Sequence, residues 1–263
     1  MLKKLLKYDL KNIYKFLIIF YSLAIFFSIL TRIFLNIESS LIMNIIGQIC
    51  SGTTIAMFFN IIINNIMRLW VRFKNNLYND ESYLTHTLPI PKKTLYISKI
   101  LTAIITLLTS TIVIIITLLI AYYSKDFITT IKNLLLPIAN IYESSILSII
   151  LSFILVLFLE FSNILQCGFT GIILGHKMNN NKLGFSVLYG FITYIISQLI
   201  LLLATFITAL FNKDIMNLIH TTTQINIQSL KTVIYLAIIL YTIILFIIYF
   251  LNINIFKKGV NIE

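Results

Sequence analysis

The stretch Ile100-LTAIITLLTSTIVIIITLLIAY-Tyr123 contains no Asp, Glu, Lys or Arg. As an α-helix it reaches about 36 Å, more than the roughly 30 Å of a bilayer's hydrocarbon core. A membrane β-strand needs only about 10 residues and alternates apolar with polar; this run is more than twice that length and does not alternate. Working outward, the same reading applies near Phe16–Leu35, Leu41–Met67, Ser145–Gly175, Leu183–Phe211 and Thr232–Phe256. Composition agrees. The chain is 59% hydrophobic and only 11% charged, against roughly 25% charged in soluble domains, and its mean hydropathy is +0.97. Too few polar groups exist to cover a water-facing surface. The expected fold is all-α: one transmembrane domain over residues 1–263, with six membrane-spanning helices.

Charge sets the orientation. With six spans both termini share a side. Of the twenty Lys and Arg residues, that side holds fifteen: Lys3, Lys4, Lys7, Lys11, Lys15, Arg68, Arg72, Lys74, Lys92, Lys93, Lys99, Lys177, Lys182, Lys257 and Lys258. The other holds Arg32, Lys125, Lys132, Lys213 and Lys231. The positive-inside rule makes the basic side cytoplasmic, and the net charge of +11 then belongs to membrane-flanking segments and calls for no nucleic acid. The basic N-terminus followed by an apolar run resembles a signal peptide, but no small-residue cleavage site follows, so it reads as uncleaved. Cys50 and Cys167 lie in apolar runs at different depths and read as small buried hydrophobes.

Over residues 1–15 and just beyond, Leu2, Leu5, Leu6, Asp9, Leu10, Ile13 and Leu17 have helical spacing, with Lys3, Lys7, Lys11 and Lys15 as an i, i+4 ridge opposite. This pattern predicts an amphipathic helix in the interface, its lysines toward anionic lipid headgroups. Residues 68–99 are the longest cytoplasmic segment. There Asn79 or Asp80 can cap a short helix, Glu81 sits near its positive end, and Tyr83, Leu84 and Leu88 form a small apolar face. Pro89 and Pro91 end it. On spacing alone this is either a docking knob for a soluble partner or a solvated connector.

The segment Leu77-YNDESYLTHTLPIPKKTLYIS-Lys99 resembles the first cytoplasmic loop of a Firmicutes-type group of permeases of the type 2 ATP-binding-cassette (ABC-2) exporters, with Ser82 in place of a usual Gly. The opening Leu5-LKYDL-Lys11, the tail Phe256-KKGVNI-Glu263, and Leu174-Gly-His-Lys177 with Leu183-Gly184 are similar to stretches of the same group. The resemblance implies a permease of a bacterial cytoplasmic membrane that pairs with a like or related permease, each binding a separate nucleotide-binding ATPase that carries ATP and Mg. It also implies that Asp80, Glu81, Tyr83, Leu84, Leu88 and Pro89 lie on or beside a coupling helix seated in that ATPase. The implied activity is export, by alternating access, of an amphiphilic substrate such as a peptide, antimicrobial, drug or lipid.

Other chemistry is missing from the sequence. No G-x-x-x-x-G-K-[ST] occurs, so ATP hydrolysis is not expected in this chain, and no cofactor is expected in it. No H-E-x-x-H occurs, His86, His176 and His220 are far apart, and no metal or catalytic residues are assigned. Gly171 and Gly175 form a G-x-x-x-G pair that suits a close helix contact. Glu160 is the one ionisable group near mid-membrane, with Asn163 and Cys167 on its face. Such a residue is costly in lipid; it lines a route or pairs across a subunit interface, or it stays protonated as a structural group. Asn44 with Gln48, Asn60 with Asn64, and Thr102 with Thr106 read as interhelical hydrogen-bonding pairs. The rival readings are a secondary transporter centred on Glu160 and a membrane scaffold or sensor that docks something other than an ATPase.

Overall fold

No Pro or Gly occurs before Gly47, so nothing in the covalent chain interrupts a helix there. The first helix accordingly runs unbroken from Leu2 to Leu35 (α1). The structure, a computed structural model, describes residues 1–37, 41–79, 81–141, 144–212, 215–216 and 227–258. Its further helices are α2 (Leu41–Leu77), α3 (Ser82–Thr87), α4 (Lys92–Tyr122), α5 (Lys125–Ile141), α6 (Ile146–Gly175), α7 (Lys182–Phe211) and α8 (Ile227–Lys257). Six of them, all but α3 and α5, are long and apolar enough to cross a membrane. The protein is an all-α, multi-pass membrane protein.

The separate interfacial helix expected over residues 1–15 is instead the first four turns of α1. Its buried stripe, Asp9, Ile13, Leu17, Ala24, Ser28 and Thr31, continues at helical spacing along the whole helix. The apolar side of this segment therefore packs inside the protein at Asp9, Ile13 and Leu17, while Lys3, Lys7, Lys11 and Lys15 stay exposed on the other side. The expected loop at 68–99 is also shorter: α2 carries on to Leu77 and α4 begins at Lys92. α5 was not foreseen. Ser124 Oγ accepts from the Phe127 N–H at 3.0 Å, an N-cap arrangement.

The chain divides into two compact units, Met1–Ile128 and Thr129–Asn261. In the first, α1 packs against both α2 and α4. A ladder of polar contacts fixes their register. Tyr14 meets Thr109 at 3.0 Å, Tyr21 and Asn65 meet Ser110 at 2.8 Å, and Thr31 meets Thr54 at 3.0 Å. α4 therefore runs parallel to α1, and α2 antiparallel. In the second unit, α6 packs against α7 and α8. A Cβ on Gly171 would lie 2.7 Å from Gly190 Cα, so the G-x-x-x-G pair does mark a close backbone approach, here of α6 to α7. The other polar pairs behave differently. Asn64 donates to the Asn60 carbonyl, Thr102 to Ser98 and Thr106 to Ala103. These side chains fold back on their own helix, as hydroxyls in apolar helices do, and the interhelical bonds fall to other residues.

Candidate functional site

One end of the first unit is built on charges that the helices carry inward. Asp9 follows the buried stripe of α1 and is 3% exposed. A carboxylate there needs a cationic partner to offset its desolvation, and it has two. Lys99, in the second turn of α4, donates through Nζ to Asp9 Oδ2 at 2.7 Å. Arg72, near the end of α2, donates through Nε to Oδ1 at 3.2 Å. The Arg72 guanidinium then reaches onward, its Nη1 donating to both Glu81 oxygens at 2.6 and 2.7 Å. Asn76 adds a bond to Glu81 Oε2 at 2.9 Å. One turn before Arg72, Arg68 bonds Asn12 Oδ1 at 3.0 Å and lies over the Phe16 ring. The chain Lys99–Asp9–Arg72–Glu81 thus ties α4, α1, α2 and the start of α3 together in alternating sign.

Burial by itself would raise the pKa of Glu81. Hydrogen bonds from Asn76 and Arg72, with the charges of Arg72 and Lys99, outweigh it and hold the carboxyl below its ordinary value. Glu81 is the N-cap residue of α3 but makes no side-chain cap bond; its carboxylate is spent on Arg72 instead. The expected cap by Asn79 is not formed by its side chain: Asn79 contributes its main-chain carbonyl to the Ser82 N–H at 2.7 Å. Asp80 lies outside the described residues. His86 Nε2 bonds the Leu77 carbonyl at 3.1 Å, so α3 is also fastened at its far end. Leu88, preceding Pro89, is extended and stops the helix.

Fixed in this way, α3 has two faces. Ser82 and Thr85 are buried. Tyr83 is 73% exposed, Leu84 70% and Leu88 45%, and Pro89 beside them is exposed. The apolar face expected from the sequence is present and points outward from a hydrogen-bonded mount. The mount itself was missed, because Arg72 and Lys99 read as flanking charges. Asp9, an acid at a buried register position among leucines, was the available signal.

In the second unit Glu160 occupies the middle of α6. Tyr194 donates its hydroxyl to Oε1 at 2.8 Å, and Gln198 Nε2 lies 3.0 Å from Oε1 and 3.3 Å from Oε2. Both are on α7 at i, i+4 spacing. Tyr241 of α8 packs with Tyr194 against the same cluster of Cys167, Leu201, Ile244 and Ile248, beside that carboxyl. One turn on, Asn163 donates to Ser197 Oγ at 2.9 Å, and Cys167 Sγ faces Asn163 Oδ1 at 3.6 Å. Glu160 and Asn163 do share the α7-facing side of α6. Among the described residues no three His, Cys, Asp or Glu side chains gather as a metal site.

Compared with known proteins, the chain matches no family model, no curated protein and no solved structure.

Proposed function

We propose that this chain is the membrane-spanning permease subunit of an ATP-binding-cassette exporter. In this reading α3 is the coupling helix on which a separate nucleotide-binding ATPase docks. The observation that carries it is the mounting of α3. Three apolar side chains, Tyr83 and Leu84 on a short helix and Leu88 at its C-cap, project outward, and that helix is clamped through Glu81 and Arg72 to Asp9 and Lys99. A solvated connector needs neither the exposed apolar face nor the clamp. A lever needs both: a surface for a partner, and stiff attachment to the helices it is to move. Force on α3 would pass through Arg72 to α2, and through Asp9 and Lys99 to α1 and α4. In this reading the basic ends are cytoplasmic, and ATP binding by a pair of docked ATPases rearranges a pair of permeases around an amphiphilic substrate.

The test is affinity purification of the full chain in mild detergent, with identification of the chains that accompany it. A protein with an ATP-binding Walker motif should come with the native chain and be lost with Tyr83→Asp/Leu84→Asp, which leaves the ionic clamp untouched. The same ATPase retained by the double variant, or no ATPase with either chain, defeats the proposal. Glu160 supports a second reading, a secondary transporter without an ATPase. That reading predicts transport by the purified chain driven by an ion gradient alone.

A further inference from the structure

Glu160 sits about 21 Å from either end of α6, where an ionised side chain is most costly in a bilayer. Its partners also come from mid-helix. Tyr194 and Gln198 flank the centre of α7 (Lys182–Phe211), and Tyr241 lies at the centre of α8 (Ile227–Lys257). Three separate helices thus turn polar at the level of one carboxylate.

The groups that surround it are neutral: one phenol and one amide donate to it, and a second phenol, Tyr241, packs beside them. They orient the carboxyl but bring no positive charge to it. α6 holds no Lys or Arg, and those of the neighbouring helices are distant: Lys182 begins α7, and Lys231 is in the second turn of α8, about 15 Å along the axis from Tyr241. Among the described residues no ion pair reaches Glu160. Nor is the site sealed. Glu160, Tyr194, Gln198 and Tyr241 are each half-buried. Beside them lies an apolar wall of Leu201, Ile244 and Ile248, with Leu240 against it.

The geometry points to a subsite for an amphiphilic organic monocation, an ammonium centre with an apolar tail, bound at Glu160 between Tyr194 and Tyr241. The carboxylate supplies the countercharge. The phenol rings supply electron-rich faces that attract an ammonium. Leu240 and Ile244 supply the surface for the tail. An inorganic cation would need a shell of several oxygen ligands, whereas Tyr194 and Gln198 turn donors toward the carboxyl and leave one charged group to pair with a single alkylammonium head. As the substrate class of the proposed exporter the inference rests on that reading, but binding is a property of this chain without any ATPase, so the two can fail separately.

The experiment uses the full chain in phosphatidylcholine nanodiscs and radiolabelled dodecyltrimethylammonium, with uptake by empty nanodiscs subtracted. Dodecanol, of the same tail length and no charge, is the comparison probe. Saturable binding near one ammonium per chain is expected. Glu160→Gln, which keeps the shape and an acceptor for Tyr194, should weaken it at least about tenfold. Glu160→Asp should restore most of the affinity, and dodecanol uptake should be the same in all three proteins. Equal ammonium binding by the native chain and Glu160→Gln overturns the inference. So does a parallel fall in dodecanol uptake, which would give Glu160 a purely structural role. A change of oligomeric state in Glu160→Gln, read by light scattering, overturns it in favour of a cation supplied by a second copy.

Discussion

Replacing Asp9 with Asn removes the negative charge between Lys99 and Arg72 and leaves the rest of the clamp in place. Asp9 is 3% exposed and Lys99 5%, so water cannot step in for the lost partner without local opening. Removing one member of a buried pair costs about 3–5 kcal/mol, most of it the penalty of the stranded charge. Arg72 keeps Glu81, and the network lies near helix ends, which places the expected loss at about 3 kcal/mol, a more than hundredfold shift in the folding equilibrium. Lys99→Met should cost less, because Asp9 keeps Arg72 at 3.2 Å. The double variant Asp9→Asn/Lys99→Met strands neither charge. It should recover much of the loss, with a coupling between the two sites of about 2 kcal/mol. Unfolding by dodecyl sulfate in mixed micelles, followed by helical circular dichroism, measures all four proteins. The reasoning is refuted if Asp9→Asn unfolds at the same detergent fraction as the native chain. It is refuted equally if the double variant is no more stable than Asp9→Asn.

Two further perturbations probe other parts of the structure. Gly171→Val places a branched side chain against the main chain of Ser186 and Gly190; separating α6 from α7 should cost about 1–3 kcal/mol, whereas Gly52→Ala, with nothing within 4 Å of its Cβ, should unfold like the native chain. The Glu81 carboxyl has its pKa lowered by folding, so its stabilising effect is complete above the ordinary value of 4.5 and is lost as pH falls through the depressed one. The sole tryptophan, Trp70, lies two residues before Arg72, and its fluorescence should hold steady from pH 8 to 5 and change below 4.5; Glu81→Gln should abolish that acid transition, and a transition unchanged in the variant would assign it elsewhere.

The spans were legible because the bilayer leaves few options: an apolar run of this length has to satisfy its backbone internally, and a helix does so. The tertiary pairings were less so. The bonds from Asp9 reach 63 and 90 residues along the chain, and nothing local distinguishes Arg72 and Lys99 from the other flanking cations. Their depth becomes apparent only once α2 is seen to run ten residues beyond the apolar span. Charged residues there read as loop, yet Arg68 and Arg72 at i, i+4 spacing face Asn12 and Asp9 on α1. α3 was readable from Glu81 to the prolines because its apolar positions and its stop are local features. Its anchor was not, since Glu81 reads as a residue of the first helical turn and its role depends on Arg72 nine residues earlier. Glu160 was conspicuous as a lone acid, whereas Tyr194, Gln198 and Tyr241 are unremarkable until three helices bring them together.

The central claim is that α3 seats an ATPase, and a single-site cross-link tests it most directly. Cys50 and Cys167 are buried and free. Replacing both with Ala and placing Leu84→Cys on the exposed face of α3 leaves one reactive thiol for a benzophenone-maleimide. After irradiation in native membranes, the account predicts a covalent adduct between this chain and a soluble subunit bearing an ATP-binding Walker motif, lost on prior release of peripheral subunits. An adduct with lipid alone, or with a protein lacking that motif, would contradict it.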